Sequence, residues 1–335
     1  RCHHVWMRVA LIADIHGNAT ALRSVLDDIA MLDVDSVVCL GDLAANGPEP
    51  GSAIDMVREL ECPVVIGNTD VAMLDVPEWW RDPVSVGAPE TAQRIVAASA
   101  WCADQLDSGH LEFLAGLPST LELDLGDAGR VLCFHGSPRS STDVITDQTP
   151  PNEVAEMMDG SSHRFLAGGH THVPLVRSLG DQTIINPGSV GMPFASCGFV
   201  GEVPVMNHAA YAVVAATATD VSVEFREVPI DVDALARVVR SSGMPHGEWW
   251  LGLRSRQPPP AEPHTLIRRH PERRRRCARA EIDVGADRPA DSSHLGSVES
   301  AMSYTIRPAA QADQTFLREM LHDALFVPPG HERVP

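Results

Sequence analysis

Hydrophobic and polar positions alternate in a repeating order along the first 70 residues. Short apolar runs at 8–13, 36–40 and 63–66 each end in a polar loop that contains glycine. Such runs predict buried strands. Between them, residues 19–32 and 51–60 carry apolar side chains at helical spacing, which predicts amphipathic helices. Alternation of strands and helices favours an α/β fold with a parallel sheet covered by helices.

The middle of the chain adds further elements. Residues 121–125 and 130–134 are predicted as paired strands because a glycine-rich turn separates them. A strand at 165–167 follows. Helices are predicted at residues 88–107, 151–159 and 231–241. Four later strands, which we expect to form a second sheet, are predicted at residues 173–178, 183–185, 211–216 and 221–228.

The regular pattern stops after Leu251, and this suggests three segments. We predict a folded domain over residues 7–251, with Met7 as the natural start. Residues 252–301 are rich in proline and arginine without periodicity, which predicts a disordered linker. Residues 302–335 again carry a strand-like and a helical pattern but are too short for a domain.

Charge narrows the classes of partner. The 335 residues carry a net charge of −19, and the first 251 hold 13 arginines against 34 acidic residues. Such an acidic body argues against binding of nucleic acid or an anionic membrane. Seven scattered cysteines without a CxxC pair argue against a disulfide scaffold or zinc ribbon and favour a reducing cytoplasm. A cytoplasmic location is therefore expected.

Polar side chains stand at the ends of the predicted strands, where open α/β sheets bind ligands. Seven of them are nitrogen or oxygen donors, namely Asp14, His16, Asp42, Asn68, His135, His170 and His172. Mixed carboxylate, imidazole and amide donors suit manganese, iron, zinc, cobalt or nickel better than calcium. Seven ligands exceed one four-coordinate site, so we expect two divalent metal ions that share a bridging carboxylate, with manganese preferred.

Six motifs carry a resemblance to a known family. DIHGN, GDLAANGP, GNTD, FHGSP, GGHTH and NPGSVG occur in this order over residues 7–228, and they resemble the calcineurin-like metallophosphoesterase superfamily. The GDxxxxGP, GNxD and NPGSVG forms are similar to its small bacterial phosphodiesterase branch. The resemblance implies a four-layer α/β/β/α sandwich with two metals at its edge.

The resemblance also implies a role for each donor. Ligands of the first metal would be Asp14, His16 and His172; ligands of the second would be Asn68, His135 and His170; and Asp42 would bridge both. The implied reaction is in-line attack on phosphorus by a hydroxide bridging the metals. Asp42, Asn68 and His135 would thereby be catalytic, together with Asp70, which we expect to orient a ligand histidine.

Three further positions complete the predicted site. Asn18 and Arg139 lie in motif loops and are predicted to contact the substrate phosphate; the alternative is that they only shape these loops. Thr69 stands where many superfamily members have a histidine that is thought to protonate the leaving group. A threonine hydroxyl cannot serve as that acid at pH 7, so we expect a preference for good leaving groups or a different acid.

The leading interpretation is a two-metal phosphoesterase acting on small phosphodiesters. The alternatives are a phosphomonoesterase or phosphoprotein phosphatase, a dinucleoside-polyphosphate hydrolase, and a non-catalytic binding scaffold of the same fold. Residues 302–330 resemble the opening strand and helix of a GNAT N-acetyltransferase, truncated before its acetyl-CoA loop. The sequence leaves the natural substrate and the oligomeric state open.

Overall fold

The computed structural model describes residues 7–84, 90–194, 205–217, 220–254 and 264–269. Within these ranges, ten strands form two five-stranded sheets. The strands are β1 (Met7–Ile12), β2 (Ser36–Cys39), β3 (Thr120–Asp124), β4 (Arg130–Phe134), β5 (Phe165–Ala167), β6 (Leu175–Leu179), β7 (Gln182–Asn186), β8 (His208–Ala216), β9 (Asp220–Pro229) and β10 (His264–Arg269). The first sheet has the order β10-β9-β8-β1-β2, and the second has the order β3-β4-β5-β7-β6.

Helices cover the outer faces of the sheets. Over the same ranges they are α1 (Ala19–Ala30), α2 (Pro50–Glu59), α3 (Asn68–Leu74), α4 (Glu78–Arg81), α5 (Glu90–Asp104), α6 (Ser108–Ala115), α7 (Pro151–Met157), α8 (Val232–Ser242) and α9 (Gly247–Gly252). None of these helices combines the length and the apolar character needed to cross a bilayer.

The two sheets and the helices that cover them confirm the predicted α/β architecture.

Strand β1 explains why the first apolar run has no polar side chain after Arg8. Val9 and Leu11 pack into the cluster between the two sheets, with Phe165 of β5. Ala10 and Ile12, which point to the opposite face, pack beneath the helices. Both faces of β1 are therefore buried, and a strand buried on both faces is apolar throughout.

Residues 63–66 differ from the prediction of a third strand. Only a single bridge, between Cys39 and Val64, joins them to β2. Pro63 offers no N–H to a ladder, and the N–H of Ile66 donates to the carbonyl of Pro118. The segment therefore leaves the sheet after one pair.

The assignment of residues 211–216 and 221–228 to the second sheet is wrong. Strand β8 pairs antiparallel with β1, and β9 pairs antiparallel with β8, so both belong to the first sheet. Apolar patterning determines which face of a strand is buried but not which strand lies beside it. The first sheet is consequently mixed, because β1 and β2 run parallel while the other strand pairs described in it are antiparallel.

Regular structure also extends past the predicted boundary at residue 251. Strand β10 pairs antiparallel with β9, so the prediction of an irregular linker does not hold for residues 264–269. An unpaired edge strand offers free backbone N–H and C=O groups to a neighbouring segment. The groups along the edge of β9 pair with those of β10. The rest of the predicted linker, the GNAT-like tail and residues 1–6 lie outside the described residues.

A buried tyrosine links α1 to the first sheet. The Tyr211 hydroxyl donates to Asp28 of α1, and Arg226 of β9 donates to the same carboxylate from Nε and Nη2 at 2.7 and 3.0 Å. Hydrogen bonds from Arg226 and from Tyr211 lower the pKa of Asp28, although partial burial opposes them. This arrangement ties the helix that follows DIHGN to the sheet from which that loop emerges.

Replacing the hydroxyl should measure this link. We expect Tyr211→Phe to lower the free energy of unfolding by about 1.5 kcal/mol, because one hydrogen bond to a charged group is lost while Arg226 keeps Asp28 paired. Urea denaturation followed by tryptophan fluorescence gives the value. Arg240→Gln, which breaks an exposed ion pair with Glu248, should change it by less than about 0.5 kcal/mol. Equal effects of the two substitutions would contradict this account.

Candidate metal centre

The structure brings the seven predicted donors together at one edge of the two sheets. All seven are buried: Asp14, His16, Asp42, Asn68, His135, His170 and His172. They follow the ends of β1, β2, β4 and β5, apart from Asn68, which begins α3. The carboxyl ends of adjacent parallel strands meet at one edge, and this brings distant parts of the chain to the same point.

The donors fall into two groups. Asp14, His16 and His172 each offer a ligand atom within 4.8 Å of the others, and Asp42, His135 and His170 do the same. We call these clusters A and B. Asp42 lies between them, since its Oδ2 is 3.7 Å from His16 Nε2 and 3.4 Å from His135 Nε2. The first group is the predicted first ligand set, and the second group contains His135 and His170 of the predicted second set together with Asp42. The roles of all these residues as metal ligands stay a prediction.

Several of these donors occupy unusual backbone conformations. Positive φ angles occur at Asp14 (54°), His16 (49°), Asp42 (56°), His170 (72°) and His172 (59°). A non-glycine residue there costs about 1–3 kcal/mol and persists only where its surroundings enforce it. Here the backbone N–H groups of Asp14 and His16 donate to the carbonyls of Gly41 and Asp42. The two loops after β1 and β2 thus hold each other in the conformation that turns the donors inward.

Three of the imidazoles have a fixed orientation. Their Nδ1 atoms lie against backbone carbonyls: His16 at 3.0 Å from Ala45 O, His135 at 2.7 Å from Leu40 O, and His172 at 2.8 Å from Met192 O. Because a carbonyl only accepts, each Nδ1 carries the proton. Each Nε2 is therefore directed at its cluster, and in a neutral ring it presents a lone pair, as metal-ligating histidines do.

The donor set fits metal ions. His16 Nε2 and His172 Nε2 are 2.9 Å apart, and His135 Nε2 is 2.7 Å from Asn68 Oδ1. With neutral rings these atoms are all acceptors, and buried acceptors so close repel each other unless a proton or a cation lies between them. Asn68 Nδ2 is buried without a partner, which agrees with an amide oriented by its oxygen. A divalent cation in each cluster would satisfy these lone pairs.

The charges at the centre act on one another strongly. Burial lowers the pKa of His135, but the carboxylates of Asp42 and Asp14 outweigh it and raise the value to about 10. Burial and the charge of His135 lower the pKa of His170 to about 3. Burial likewise lowers the pKa of His16 and His172. In the absence of metal, the proton on His135 thus takes the place of a cation.

Asp70 has a different role from the predicted one. Its carboxylate accepts the backbone N–H groups of Asp42 and Leu43, each at 2.8 Å, and of Gly67 at 3.0 Å. No histidine is among these partners, so the prediction that Asp70 orients a ligand histidine is wrong. Asp70 lies in the first turn of α3. Through its hydrogen bonds it contacts the loop after β2 and fixes the backbone that carries Asp42.

The two predicted phosphate contacts have other partners. Asn18 caps α1 by accepting from Ala21 N at 3.0 Å, and its Nδ2 donates to Gly191 O at 3.2 Å. This geometry supports the alternative in which Asn18 shapes its loop. Arg139 pairs with Asp143 through Nε and Nη2 at 2.8 and 3.2 Å. A phosphate contact by Arg139 stays a prediction and requires the guanidinium to share or leave that pair.

The turn after β7 holds cluster A in place. Ser189 Oγ donates to Asp14 O at 2.7 Å and accepts from Met192 N at 2.8 Å, which agrees with a supporting turn rather than a nucleophile. Phe194 stacks on His172 with ring centroids 4.6 Å apart. Sequence reasoning missed Phe194 because an isolated aromatic residue in a glycine- and proline-rich loop has no periodic pattern.

Comparisons with known proteins agree with this arrangement. The model of the calcineurin-like phosphoesterase superfamily domain matches residues 7–202. A metallophosphoesterase from Sphaerobacter thermophilus has a crystal structure 27% identical, with a TM-score of 0.55, covering 73% of this chain and 97% of that one.

Two further relatives are similar in sequence. An uncharacterized protein of Methanocaldococcus jannaschii is 26% identical over 261 residues, which is 73% of this chain and 96% of that protein. Phosphodiesterase YfcE of Escherichia coli is 23% identical over 188 residues, which is 56% of this chain and 81% of that protein. Both alignments cover most of the relative's own length.

Asp70→Asn tests the support of the loop that carries Asp42. An amide has one acceptor oxygen and would turn a donor toward backbone N–H groups, so the loop should shift. We expect the affinity for Mn²⁺ to fall about 10–100-fold, as for other residues that orient ligands, measured by isothermal titration calorimetry. The control is Asp75→Asn, an exposed position just beyond the end of α3. Unchanged affinity in Asp70→Asn would contradict this role.

The raised pKa of His135 predicts how metal binding depends on pH. Because this pKa is about 10 in the folded protein, His135 is protonated at neutral pH, and a metal must displace that proton. The apparent Mn²⁺ affinity should therefore rise by up to about tenfold per pH unit between pH 7 and 8.5. Titrations in buffers of different ionisation enthalpy should show at least one proton released at pH 8. An affinity independent of pH over this range would argue against the shift.

Proposed function

This chain belongs to the calcineurin-like phosphoesterase superfamily, and from that premise we propose that it hydrolyses small phosphodiesters at a centre of two divalent metal ions. The observation that carries the proposal is the pair of buried clusters joined by Asp42. Manganese is the metal we propose first, with iron, zinc, cobalt or nickel as alternatives, because the donors are carboxylates, imidazoles and an amide without sulfur.

The residues of each cluster have distinct tasks. Asp14, His16 and His172 would hold one cation, His135, His170 and Asn68 would hold the other, and Asp42 would contact both. The chemistry that such cations supply is activation of water and neutralisation of charge on the phosphoryl oxygens. Asp42 is suited to its place because Thr69 N donates to its Oδ1 at 2.9 Å, which leaves Oδ2 directed between the clusters.

Burial strengthens the electrostatic part of this chemistry. Asp14 is fully buried and Asp42 is 2% exposed, so the negative charge that each would carry beside a bound cation would be poorly screened by water. Their histidine neighbours are held by backbone carbonyls and need not reorient during the reaction. Such preorganised dipoles and charges contribute the largest part of many enzymatic rate enhancements.

The charge of the site favours a diester over more highly charged substrates. A phosphodiester carries one negative charge, whereas a monoester or a polyphosphate carries more and calls for additional cationic side chains. The arginine predicted to contact phosphate, Arg139, is paired with Asp143, and Asp70 adds a third carboxyl group near the centre. The name of the E. coli relative, a phosphodiesterase, supports the same preference.

The position after Asn68 influences the leaving group. Thr69 is 1% exposed and its Oγ1 has no hydrogen-bond partner, so its side chain neither donates a proton nor positions a donor. A hydroxyl is too weak an acid at pH 7 to replace the histidine found in other members. Esters whose leaving group departs as a stable anion, such as nitrophenolate, should therefore react fastest.

Hydrolysis of a chromogenic diester tests the proposal. The full chain, freed of metal by chelation and given Mn²⁺, should hydrolyse bis(p-nitrophenyl) phosphate with a kcat/KM at least tenfold above that for p-nitrophenyl phosphate. Asp42→Asn should lower the diester rate by about 10²-fold or more, since it removes a charge from the reacting centre. Asp55→Asn, on the exposed side of α2, should leave the rate unchanged.

Other outcomes identify the alternatives. A faster reaction with the monoester would assign a phosphomonoesterase, and release of phosphate from dinucleoside polyphosphates alone would assign a polyphosphate hydrolase. Binding of Mn²⁺ without turnover of any of these esters would favour a binding scaffold.

A further inference from the structure

A buried arginine contacts the loop beside cluster A and has no part in the proposed chemistry. Arg254 follows α9 and is 3% exposed. Among the described residues no carboxylate forms an ion pair with it. Its guanidinium stacks on Trp250, with Cζ 4.2 Å from the ring centroid. Burial lowers the pKa of Arg254 to about 9, so the side chain is still a cation at neutral pH.

Such a residue is costly and calls for an explanation. A buried charge without a counter-ion destabilises a fold unless its hydrogen bonds compensate. The hydrogen bonds of Arg254 go to backbone carbonyls. Nη2 donates to Gly191 O at 2.5 Å, and Nη1 donates to Met206 O at 3.4 Å. A planar guanidinium can donate to two carbonyls at once, which an ammonium group on a flexible stem does poorly.

Gly191 connects this arginine to cluster A. The N–H of Gly191 donates to Asp14 O at 3.0 Å, and the next residue, Met192, accepts from His172 Nδ1 at 2.8 Å. The approach is close, because a Cβ on Gly191 would meet Ile15 O at 1.9 Å. The loop therefore contacts the backbone or side chain of two of the three residues of cluster A.

Two of the three residues of cluster B, His135 and Asp42, are held by other parts of the chain, whereas the backbone N–H of the third, His170, donates to the Asp14 carboxylate at 3.0 Å. His135 Nδ1 is fixed by Leu40 O, and the backbone of Asp42 is fixed by Asp70. Neither of these two hydrogen bonds involves the loop that contains Gly191, to which Arg254 donates. A displacement of Gly191 should therefore affect the two clusters unequally.

We propose that Arg254 is a positioning residue for cluster A, acting through the carbonyl of Gly191 to fix Asp14 and His172 for a metal ion. The inference rests on the proposed function, since it requires that the centre binds metal. The guanidinium touches neither substrate nor metal; it determines how firmly the loop orients the two ligands.

Metal titration of full-chain variants tests this role. Arg254→Met keeps an apolar side chain and removes both hydrogen bonds, whereas Arg254→Lys keeps the charge but has a single donor nitrogen in place of Nη1 and Nη2. Calorimetric titration with Mn²⁺ should show two binding events in the wild type. In Arg254→Met one of them should weaken at least tenfold and the other should change less than twofold. Arg254→Lys should lie between. The matched control, Arg240→Met, removes an exposed arginine of α8 and should change neither.

Two backgrounds identify the affected position. In His170→Ala, which damages cluster B, Arg254→Met should weaken the remaining Mn²⁺ site at least tenfold. In His172→Ala, which damages cluster A, the same substitution should leave the remaining site unchanged. A merely structural arginine would weaken both sites alike and lower the unfolding midpoint in parallel.

The result that overturns the inference is distinct from failure of the proposed function. Two wild-type Mn²⁺ sites with no change in Arg254→Met, or equal weakening of both, would reject the positioning role alone. Absence of Mn²⁺ binding by the wild type would reject the metal centre and this inference together. If Arg254→Met does not fold, selective weakening in Arg254→Lys still supports the role, and its absence rejects it.

Discussion

The arrangement at the sheet edge depends on one electrostatic constraint: buried acceptor atoms face each other with too few protons between them. His16 Nε2 and His172 Nε2 are 2.9 Å apart, and both rings have committed their Nδ1 protons to backbone carbonyls. Water cannot screen this repulsion because the residues are buried. A positive charge is therefore a condition for the observed geometry, and in cluster B a proton on His135 can supply it.

Backbone hydrogen bonds in the surrounding loops hold these donors in place in spite of their mutual repulsion. Left-handed conformations at Asp14, His16 and Asp42 would be unstable in an isolated loop. They persist because the loops after β1 and β2 exchange hydrogen bonds and because three N–H groups converge on Asp70. The two sheets supply the rigid base, with β1 buried on both faces. The packing of the core and the geometry of the site therefore depend on each other.

The donors could be predicted from the sequence because their pattern is local. Apolar runs that end in Asp14, Asp42 or His135 reveal a strand and its polar tip together, and parallel strands then bring these tips to one edge. The same reasoning could not place β8 beside β1, since periodicity describes the faces of a strand and not its neighbours. The role of Asp70 was inferred with the resemblance and not from a pattern, and its expected histidine partner is replaced in the structure by three backbone N–H groups.

Composition gave the wrong expectation for Arg254, because this residue differs in burial and contacts from what the composition around it predicts. Arg254 opens a stretch in which arginine and proline are abundant, and an average over that stretch describes an irregular, solvated segment. Only three-dimensional contacts distinguish it: it is buried, stacks on Trp250 and donates to Gly191. Because Gly191 also contacts Asp14, the orientation of a ligand near the start of the chain depends on a residue 240 positions later. The fold therefore does not end where periodicity ends, because Arg254 and β10 lie beyond that point and contact residues that precede it.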